Sequence, residues 1–283
     1  MILLLIIVFI FCLCLRFPIA FSLGLSCLVY FIFKGTPLVV VPLKMYAGID
    51  VFVLLSIPGF IIAGNLMNQG GLTDKIINFC NHLLGHIRGG LSYVNISASM
   101  LFAGISGTAI SDTASLGAVM IPAMKKEGYH SDFSCAITAA SSTIGPIIPP
   151  SLPMIIAATL SGLSVGKLFL AGAIPGLLLG MGLMMVAYFV AKKKNYPKHQ
   201  KSTSLQVLKS FIDTFWALLM TLIILFGIIG GVFTPTEASV VAVLYALFIG
   251  TFVYKKLNLK KIYVVILDSM KTTASLMILV GFA

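Results

Sequence analysis

The densest group of polar side chains in this sequence lies in an apolar surrounding, at residues 104–124, which read GISGTAISDTASLGAVMIPAM. The segment contains one carboxylate, Asp112, and five hydroxyl groups, those of Ser106, Thr108, Ser111, Thr113 and Ser115. A carboxylate within an apolar segment indicates an ion or substrate site, and its oxygens, like those of hydroxyls and carbonyls, are hard ligands suited to Na⁺. Asp112 could also cap the helix that follows it by accepting backbone N–H bonds, and the two roles are compatible.

A second unusual segment follows at residues 138–153, which read TAASSTIGPIIPPSLP. Prolines at this density are incompatible with a continuous helix, so we expect residues 131–162 to form a broken helix, with one half near 132–144 and the other near 152–162. An enzyme would need a nucleophile–base pair or a metal cluster. Neither unusual segment contains a histidine, and a single aspartate does not supply such a pair. The pattern therefore favours a transporter over a membrane-embedded enzyme.

The composition sets the class of protein that must position these residues. Hydrophobic residues make up 59% of the 283 residues and charged residues 10%, against roughly a quarter charged in soluble proteins. Several apolar runs approach the ~20 residues that a membrane-spanning helix needs, which predicts an all-α polytopic membrane protein. The expected spans are 2–15, 18–33, 50–68, 168–191, 207–230, 236–254 and 262–283.

The basic residues predict the orientation of the chain. Lysine clusters within 192–201 and 255–261 are separated by two spans, so both should lie on the cytoplasmic side under the positive-inside rule. The net charge of +11 has the same explanation and does not indicate nucleic-acid binding. Counting back through the spans places the N-terminus in the periplasm.

The same rule predicts the course of residues 89–124. Arg88 precedes this segment and Lys125 and Lys126 follow it, so both of its ends should be cytoplasmic. Each arm would be about 24 Å long, shorter than the ~30 Å hydrocarbon core. We therefore expect a re-entrant hairpin with its tip at 106–108, whereas the broken helix crosses once.

The three spans before the hairpin are expected to cross the membrane inward, outward and inward, and the last three outward, inward and outward. This opposite order is the pattern of an inverted-topology repeat in secondary transporters. A passive channel would need a continuous pore instead. A second hairpin should follow Ala283, so the second repeat is expected to be incomplete and the chain to be a C-terminally truncated fragment. The expected domains are first-repeat scaffold spans at 1–70, half of a transport domain at 71–165, a span and basic loop at 166–206, and second-repeat scaffold spans at 207–283.

The two polar segments, with LFLAGAIPG at 168–176 and GVFTPTEASVVAVLYA at 231–246, resemble the large membrane subunit of tripartite ATP-independent periplasmic (TRAP) transporters. The resemblance implies an elevator-type importer of organic acids, such as C4-dicarboxylates or sialic acid, in the bacterial inner membrane. It also implies Na⁺ as coupling ion with no other cofactor, a small four-helix membrane subunit, and a periplasmic substrate-binding protein. A related sodium-coupled di- or tricarboxylate transporter without a binding protein is the alternative.

The resemblance also implies site residues. Ser106 and Asp112 correspond to family positions linked to the first sodium site. The neighbours included with them are Gly107, Thr108, Ser141, Ser142, Gly145 and Pro146. Substrate contacts are expected at Thr143, Pro150 and Ser151.

Three further features each have a possible structural explanation. Glu237 could be functional, or it could lie in the first turn of a helix capped by Thr234 or Thr236. His82 and His86 are four residues apart, but no third metal ligand is near. The basic segment 192–201 is interpreted as a solvated loop.

Overall fold

The computed structural model describes residues 2–282, which form helices joined by short loops and contain no strand. The α-helices are α1 (Ile2–Cys14), α2 (Ile19–Lys34), α3 (Val40–Ile49), α4 (Ser56–Gln69), α5 (Leu72–Leu84), α6 (Gly90–Ser106), α7 (Ala109–Lys126), α8 (Ser131–Ser142), α9 (Leu152–Ser161), α10 (Val165–Lys193), α11 (Ser204–Ile229), α12 (Pro235–Phe248) and α13 (Leu259–Phe282). A 3₁₀ turn at Phe52–Leu55 leads into α4, and a π-helical turn at Ile249–Val253 extends α12. The all-α prediction is confirmed.

Five helical segments in the described part are long and apolar enough to cross a membrane: Phe52–Gln69, Val165–Lys194, Ser204–Ile229, Pro235–Val253 and Leu259–Phe282. They correspond to five of the seven expected spans. The other two, α1 and α2, are apolar but have only 13 and 16 residues.

The observed helices α10 and α11 begin three residues before the expected spans because hydropathy detects only the apolar part of a helix. Ser164 caps α10 by accepting a bond from the backbone N–H of Lys167. Thr203 and Gln206 form a capping box at the start of α11. The polar first turns therefore belong to the helices, although they are not part of the apolar runs.

The expected breaks are both present. Residues 89–124 form two helices, α6 and α7, which are separated at Gly107–Thr108 and pack against each other. Residues 131–162 form α8 and α9 with an irregular segment between them. The hairpin and the broken helix are therefore confirmed as backbone features, while the depth of the hairpin in a membrane stays a prediction.

Helix α6 lies at the centre of the molecule. It packs against α4, α5, α7, α8, α10 and α11, and side chains such as Phe102 and Val94 are fully buried. The spans α12 and α13 pack mainly on α4, which itself packs against α6. The hairpin is thus held by protein on several sides, which unwound backbone in a membrane requires.

The basic loop after α10 differs from the expected solvated segment. Tyr196 is buried, and its ring stacks on Tyr129 at a centroid distance of 4.2 Å and on Phe133 at 5.6 Å. The backbone N–H of Gly89 donates to the carbonyl of Pro197 at 2.9 Å. The lysines of this loop are exposed, but its tyrosine fastens the loop to the base of the hairpin.

Two helices were not expected from the sequence. Helix α3 is short, contains Pro42 and buries none of its side chains. Helix α5 is amphipathic, with Leu72, Ile76 and Cys80 buried. Burial raises the pKa of the Cys80 thiol to about 12, as expected for an unreactive packing residue.

Candidate ion-binding site

The hairpin turns within two residues, and the local sequence explains how. Gly107 has φ +63°, a left-handed conformation that favours glycine. Thr108 has an extended backbone and caps α7, because its hydroxyl oxygen accepts a bond from the backbone N–H of Ser111 at 3.3 Å. The cap is therefore Thr108, and Asp112, one turn into α7, is left available for another role.

Two buried hydrogen bonds hold the broken helix against the first arm of the hairpin. The side-chain amide of Asn95 in α6 donates to the hydroxyl oxygen of Thr138 in α8 at 2.7 Å. One turn further along, the hydroxyls of Ser99 and Ser141 lie 2.9 Å apart. All four side chains are fully buried, so these bonds fix the register between α6 and α8 in a medium where an unpaired polar group is costly.

The two breaks are in direct contact. The backbone N–H of Leu152, at the start of α9, donates to the carbonyl of Gly107 at 3.4 Å. A Cβ atom at Gly107 would lie 2.9 Å from the carbonyl oxygen of Pro150, so glycine is needed for this approach as well as for the turn. Ser151 stabilises the loop by donating to the carbonyl of Pro146 at 2.6 Å and caps α9 by accepting from the N–H of Met154.

Asp112 lies where the two breaks meet, and only one of its two carboxylate oxygens has a hydrogen-bond partner. Its side chain is fully buried, and Oδ1 accepts a hydrogen bond from the Ser106 hydroxyl at 2.5 Å. Oδ2 has no hydrogen-bond partner among the described residues. Oδ2 faces Gly145 so closely that a Cβ atom there would lie 2.7 Å from it and 3.2 Å from the carbonyl oxygen of Ser142.

The surroundings of Asp112 suit a small cation. The C-terminal ends of α6 and α8, at Ser106 and Ser142, carry the negative ends of the helix dipoles. None of the ion pairs in residues 2–282 involves Asp112. A buried carboxylate without a compensating charge costs several kcal/mol, so the orphaned Oδ2 fits a site for Na⁺ with hard oxygen ligands.

Most of the residues expected at the sodium site are found together. Ser106, Gly107, Thr108 and Asp112 form the hairpin tip, and Ser142 and Gly145 adjoin Asp112. The two remaining expected residues, Ser141 and Pro146, form hydrogen bonds with other groups. The Ser141 hydroxyl bonds to Ser99 and to the carbonyl of Thr138, and the Pro146 carbonyl accepts from Ser151.

The expected substrate residues do not share one surface. Thr143 is exposed, and its hydroxyl donates to the carbonyl of Ala140 at 2.7 Å. Pro150 and Ser151 are buried behind the hairpin tip. Their contact with a substrate stays a prediction.

A cavity of about 370 Å³ lies on the other side of the hairpin tip, between α4, the start of α7 and α13. Ser106 and Thr108 line it from the tip, and Asn65, Asn68 and Thr272 line it from the spans. These last three residues were not predicted from the sequence. The signal that could have found them is the spacing of two amides, three residues apart and hence on one helix face, inside an apolar span.

Asn68 and Gly64 also bring α4 against the hairpin. The Asn68 amide donates to the hydroxyl of Ser115 in α7 at 2.7 Å. A Cβ atom at Gly64 would lie 2.9 Å from the carbonyl oxygen of Ile105. The cavity wall and the ion site therefore share the same short stretch of hairpin.

Glu237 is explained by local structure. Its backbone N–H donates to the hydroxyl of Thr234, and its carboxylate accepts from the Thr234 backbone N–H at 2.8 Å. This capping box confirms that Glu237 lies in the first turn of α12 with Thr234 as its cap. His82 and His86 belong to no group of three or more potential metal ligands in the described residues.

The fold and the buried site define a polytopic helical membrane protein whose re-entrant hairpin and broken helix meet at an unpaired carboxylate. Residues 6–283 match the sequence model of the tripartite ATP-independent periplasmic transporter, DctM component. The chain belongs to this family.

Named relatives agree with the family assignment. The chain is 44% identical over 264 residues to the sialic acid TRAP transporter large permease protein SiaM of Vibrio cholerae, covering 93% of this chain and 62% of the relative. It is 44% identical to the sialic acid TRAP transporter permease protein SiaT of Haemophilus influenzae, covering 90% and 42%. It is 40% identical to the C4-dicarboxylate TRAP transporter large permease protein DctM of Pseudomonas aeruginosa, covering 93% and 62%.

The chain thus spans less than two thirds of the length of these curated relatives. All three carry the names of transporter permeases, which places the chain in a family of transporters and not of enzymes.

Proposed function

We propose that this chain is part of the large permease subunit of a sodium-coupled importer of organic acids. Family membership supports the transport role. The relatives are named for sialic acid, C4-dicarboxylate and 2,3-diketo-L-gulonate, which supports an organic acid as substrate. The proposed partners are a small membrane subunit and a periplasmic binding protein, and the proposed location is the bacterial inner membrane with the N-terminus in the periplasm.

The main observation in support of sodium coupling is that Oδ2 of Asp112 is buried in the protein interior without a hydrogen-bond partner. Asp112 would supply the charged ligand, the Ser142 carbonyl a neutral one, and Ser106 would hold the carboxylate in place through its hydrogen bond. A bound cation would neutralise the carboxylate and would draw the hairpin and the broken helix together. The ion would therefore stabilise the contact between Gly107 and Leu152.

The cavity lined by Asn65, Asn68 and Thr272 is the proposed place for part of the organic acid. Uncharged amide and hydroxyl donors can bind a carboxylate without a permanent ion pair. Ser106 lines this cavity and also bonds to Asp112. An ion that orders the hairpin tip would thereby shape the substrate cavity, which is a physical basis for coupling.

The test is the substitution Asp112→Asn in the complete transporter, with uptake measured against sodium concentration. Losing the charged partner of a buried ion costs about 3–5 kcal/mol, which corresponds to at least a hundredfold weaker sodium binding. Ser106→Ala should weaken sodium binding less, by about tenfold, because it removes one hydrogen bond to a charged group. Asp132→Asn is the matched control, since Asp132 is exposed in the first turn of α8.

Unchanged sodium half-saturation in Asp112→Asn would contradict the ion site. Uptake that follows a proton gradient and ignores sodium would contradict sodium as the coupling ion. Uptake without any binding protein would favour the related di- or tricarboxylate transporters.

A further inference from the structure

A basic pocket lies between α5 and the first turns of α11 and shares no lining residue with the cavity at the hairpin tip. It has a volume of about 270 Å³, and its charged lining residues are Lys75, Lys209 and Asp213, with His82 at one end. A neighbouring hollow of about 340 Å³ shares His82 and adds His86 and Lys201. Positive and protonatable side chains therefore face both hollows, against a single lining carboxylate in the described residues.

Neither of the two lysines of the pocket forms an ion pair within residues 2–282. The ion pairs found in residues 2–282 join Glu127 with His199, Asp74 with Lys256, and Asp268 with Lys271. Lys75 is half-buried, and its Nζ lies 4.2 Å from the centroid of the Tyr254 ring. This contact orients the ammonium group and leaves its positive charge available to an anion.

The position of the pocket along α11 indicates where the anion comes from. Lys209 and Asp213 are the only charged residues of α11, and from Thr214 to Ile229 the helix is apolar apart from Thr214 and Thr221. The pocket thus lies at the end of the apolar span, where the boundary between membrane and water is expected. Trp216, one turn further along, is the type of residue that is enriched at this boundary.

An apolar surface adjoins the basic residues on the same helix. Leu208, Ile212 and Phe215 are exposed on the first turns of α11, with 55%, 56% and 39% of their surface accessible. A ligand with a phosphate group and hydrocarbon chains would match both surfaces at once, whereas a free phosphate ion would match only the pocket. We propose that this pocket binds the phosphate headgroup of an anionic phospholipid, whose acyl chains lie along α11.

This inference is independent of the transport function and needs only that α11 crosses the membrane with its first turns on the cytoplasmic side. Basic pockets between transmembrane helices on the cytoplasmic side are suited to anionic headgroups, and each lysine near such a surface contributes about 1 kcal/mol. Removing the charge of Lys75 and of Lys209 should therefore reduce lipid affinity about fivefold each, and about 25-fold together.

The experiment measures lipid binding to the complete transporter in an uncharged detergent by native mass spectrometry. Phosphatidylglycerol and phosphatidylcholine are titrated separately, and inorganic phosphate is added as competitor. Phosphatidylglycerol should bind to wild type more tightly than phosphatidylcholine, and the variant Lys75→Gln/Lys209→Gln should lose about 25-fold. The matched control is Lys125→Gln/Lys126→Gln, which removes the same charge from exposed positions at the end of α7.

A third variant guards against a trivial loss of binding through misfolding. Asp213→Asn removes the carboxylate that lines the pocket, so phosphatidylglycerol should bind severalfold more tightly. Equal losses in the two double variants would overturn the proposal, because they would show only a general effect of surface charge. Equal binding of the two lipids, tighter binding by inorganic phosphate than by phosphatidylglycerol, or weaker binding in Asp213→Asn would also overturn it.

Discussion

Adding a single methyl group at Gly145 should weaken sodium binding without unfolding the protein. Gly145 is not in the left-handed region, so its backbone accepts an alanine. The new Cβ would lie 2.7 Å from Oδ2 of Asp112, whereas a carbon and an oxygen atom in contact are normally at least about 3.3 Å apart. Either the carboxylate or the loop must therefore move by about 0.6 Å.

The carboxylate has little freedom to move without a cost. Ser106 holds its other oxygen, and the side chain is fully buried. Inserting a methyl group into a packed interior costs about 1–3 kcal/mol. If the methyl group destabilises the ion-bound state by this amount relative to the ion-free state, the sodium affinity of Gly145→Ala should fall by about 5- to 150-fold.

The assay is sodium-dependent thermal stabilisation of the complete transporter, supported by the sodium dependence of uptake. At a sodium concentration of 100 times the dissociation constant, wild type gains about 2.7 kcal/mol. A tenfold weaker site would lose about 1.4 kcal/mol of this stabilisation. Overpacking also lowers the stability of the variant without sodium, so the sodium-dependent rise in unfolding temperature is compared with the sodium-free value of the same protein.

Gly117→Ala is the matched control, since it adds the same methyl group within the hairpin. Its Cβ would lie 3.4 Å from Cγ2 of Thr138, an ordinary contact. We expect unchanged sodium binding and a small gain in stability from the better helix propensity of alanine. Wild-type sodium half-saturation and wild-type thermal response in Gly145→Ala would refute the placement of the ion beside Asp112.

Two further predictions concern the orientation and the basic loop. In a cysteine-free background, a single cysteine at Lys198 should resist a membrane-impermeant thiol reagent added outside intact cells, and one at Gly166 should react; the reverse pattern would overturn the proposed topology. Tyr196→Ala should detach the basic loop by removing the stack on Tyr129 and Phe133, so that trypsin cleaves after Lys198 severalfold faster, while Tyr196→Phe should behave like wild type. Equal cleavage rates in wild type and Tyr196→Ala would show that the stack does not hold the loop.

The sequence was sufficient to predict the membrane class and both breaks, because the relevant signals are local. Long apolar runs follow from the thickness of a bilayer. The four prolines at positions 146, 149, 150 and 153 exclude a continuous helix, whatever packs around them. Gly107 between two hydroxyl-bearing residues likewise marks the turn of the hairpin, and the structure has its break there.

The short and amphipathic helices were missed for a related reason. Helices α3 and α5 have no apolar run long enough for a span, so hydropathy did not distinguish them from loops. The buried position of Tyr196 was also hidden, because the tyrosine is surrounded in the sequence by lysines that remain exposed.

The sequence by itself determined that Asp112 is an isolated carboxylate among hydroxyls, inside an apolar segment. It left open whether this carboxylate caps a helix or faces an ion, since both roles use the same residue type at the start of a helix. Only the tertiary structure decided that Thr108 is the cap and that Oδ2 of Asp112 faces Gly145 in the segment between α8 and α9. The reason is that a hydrogen-bond partner is a neighbour in space: Ser142 and Gly145, which lie beside this oxygen, are thirty or more positions away in the sequence, and packing alone brings them there.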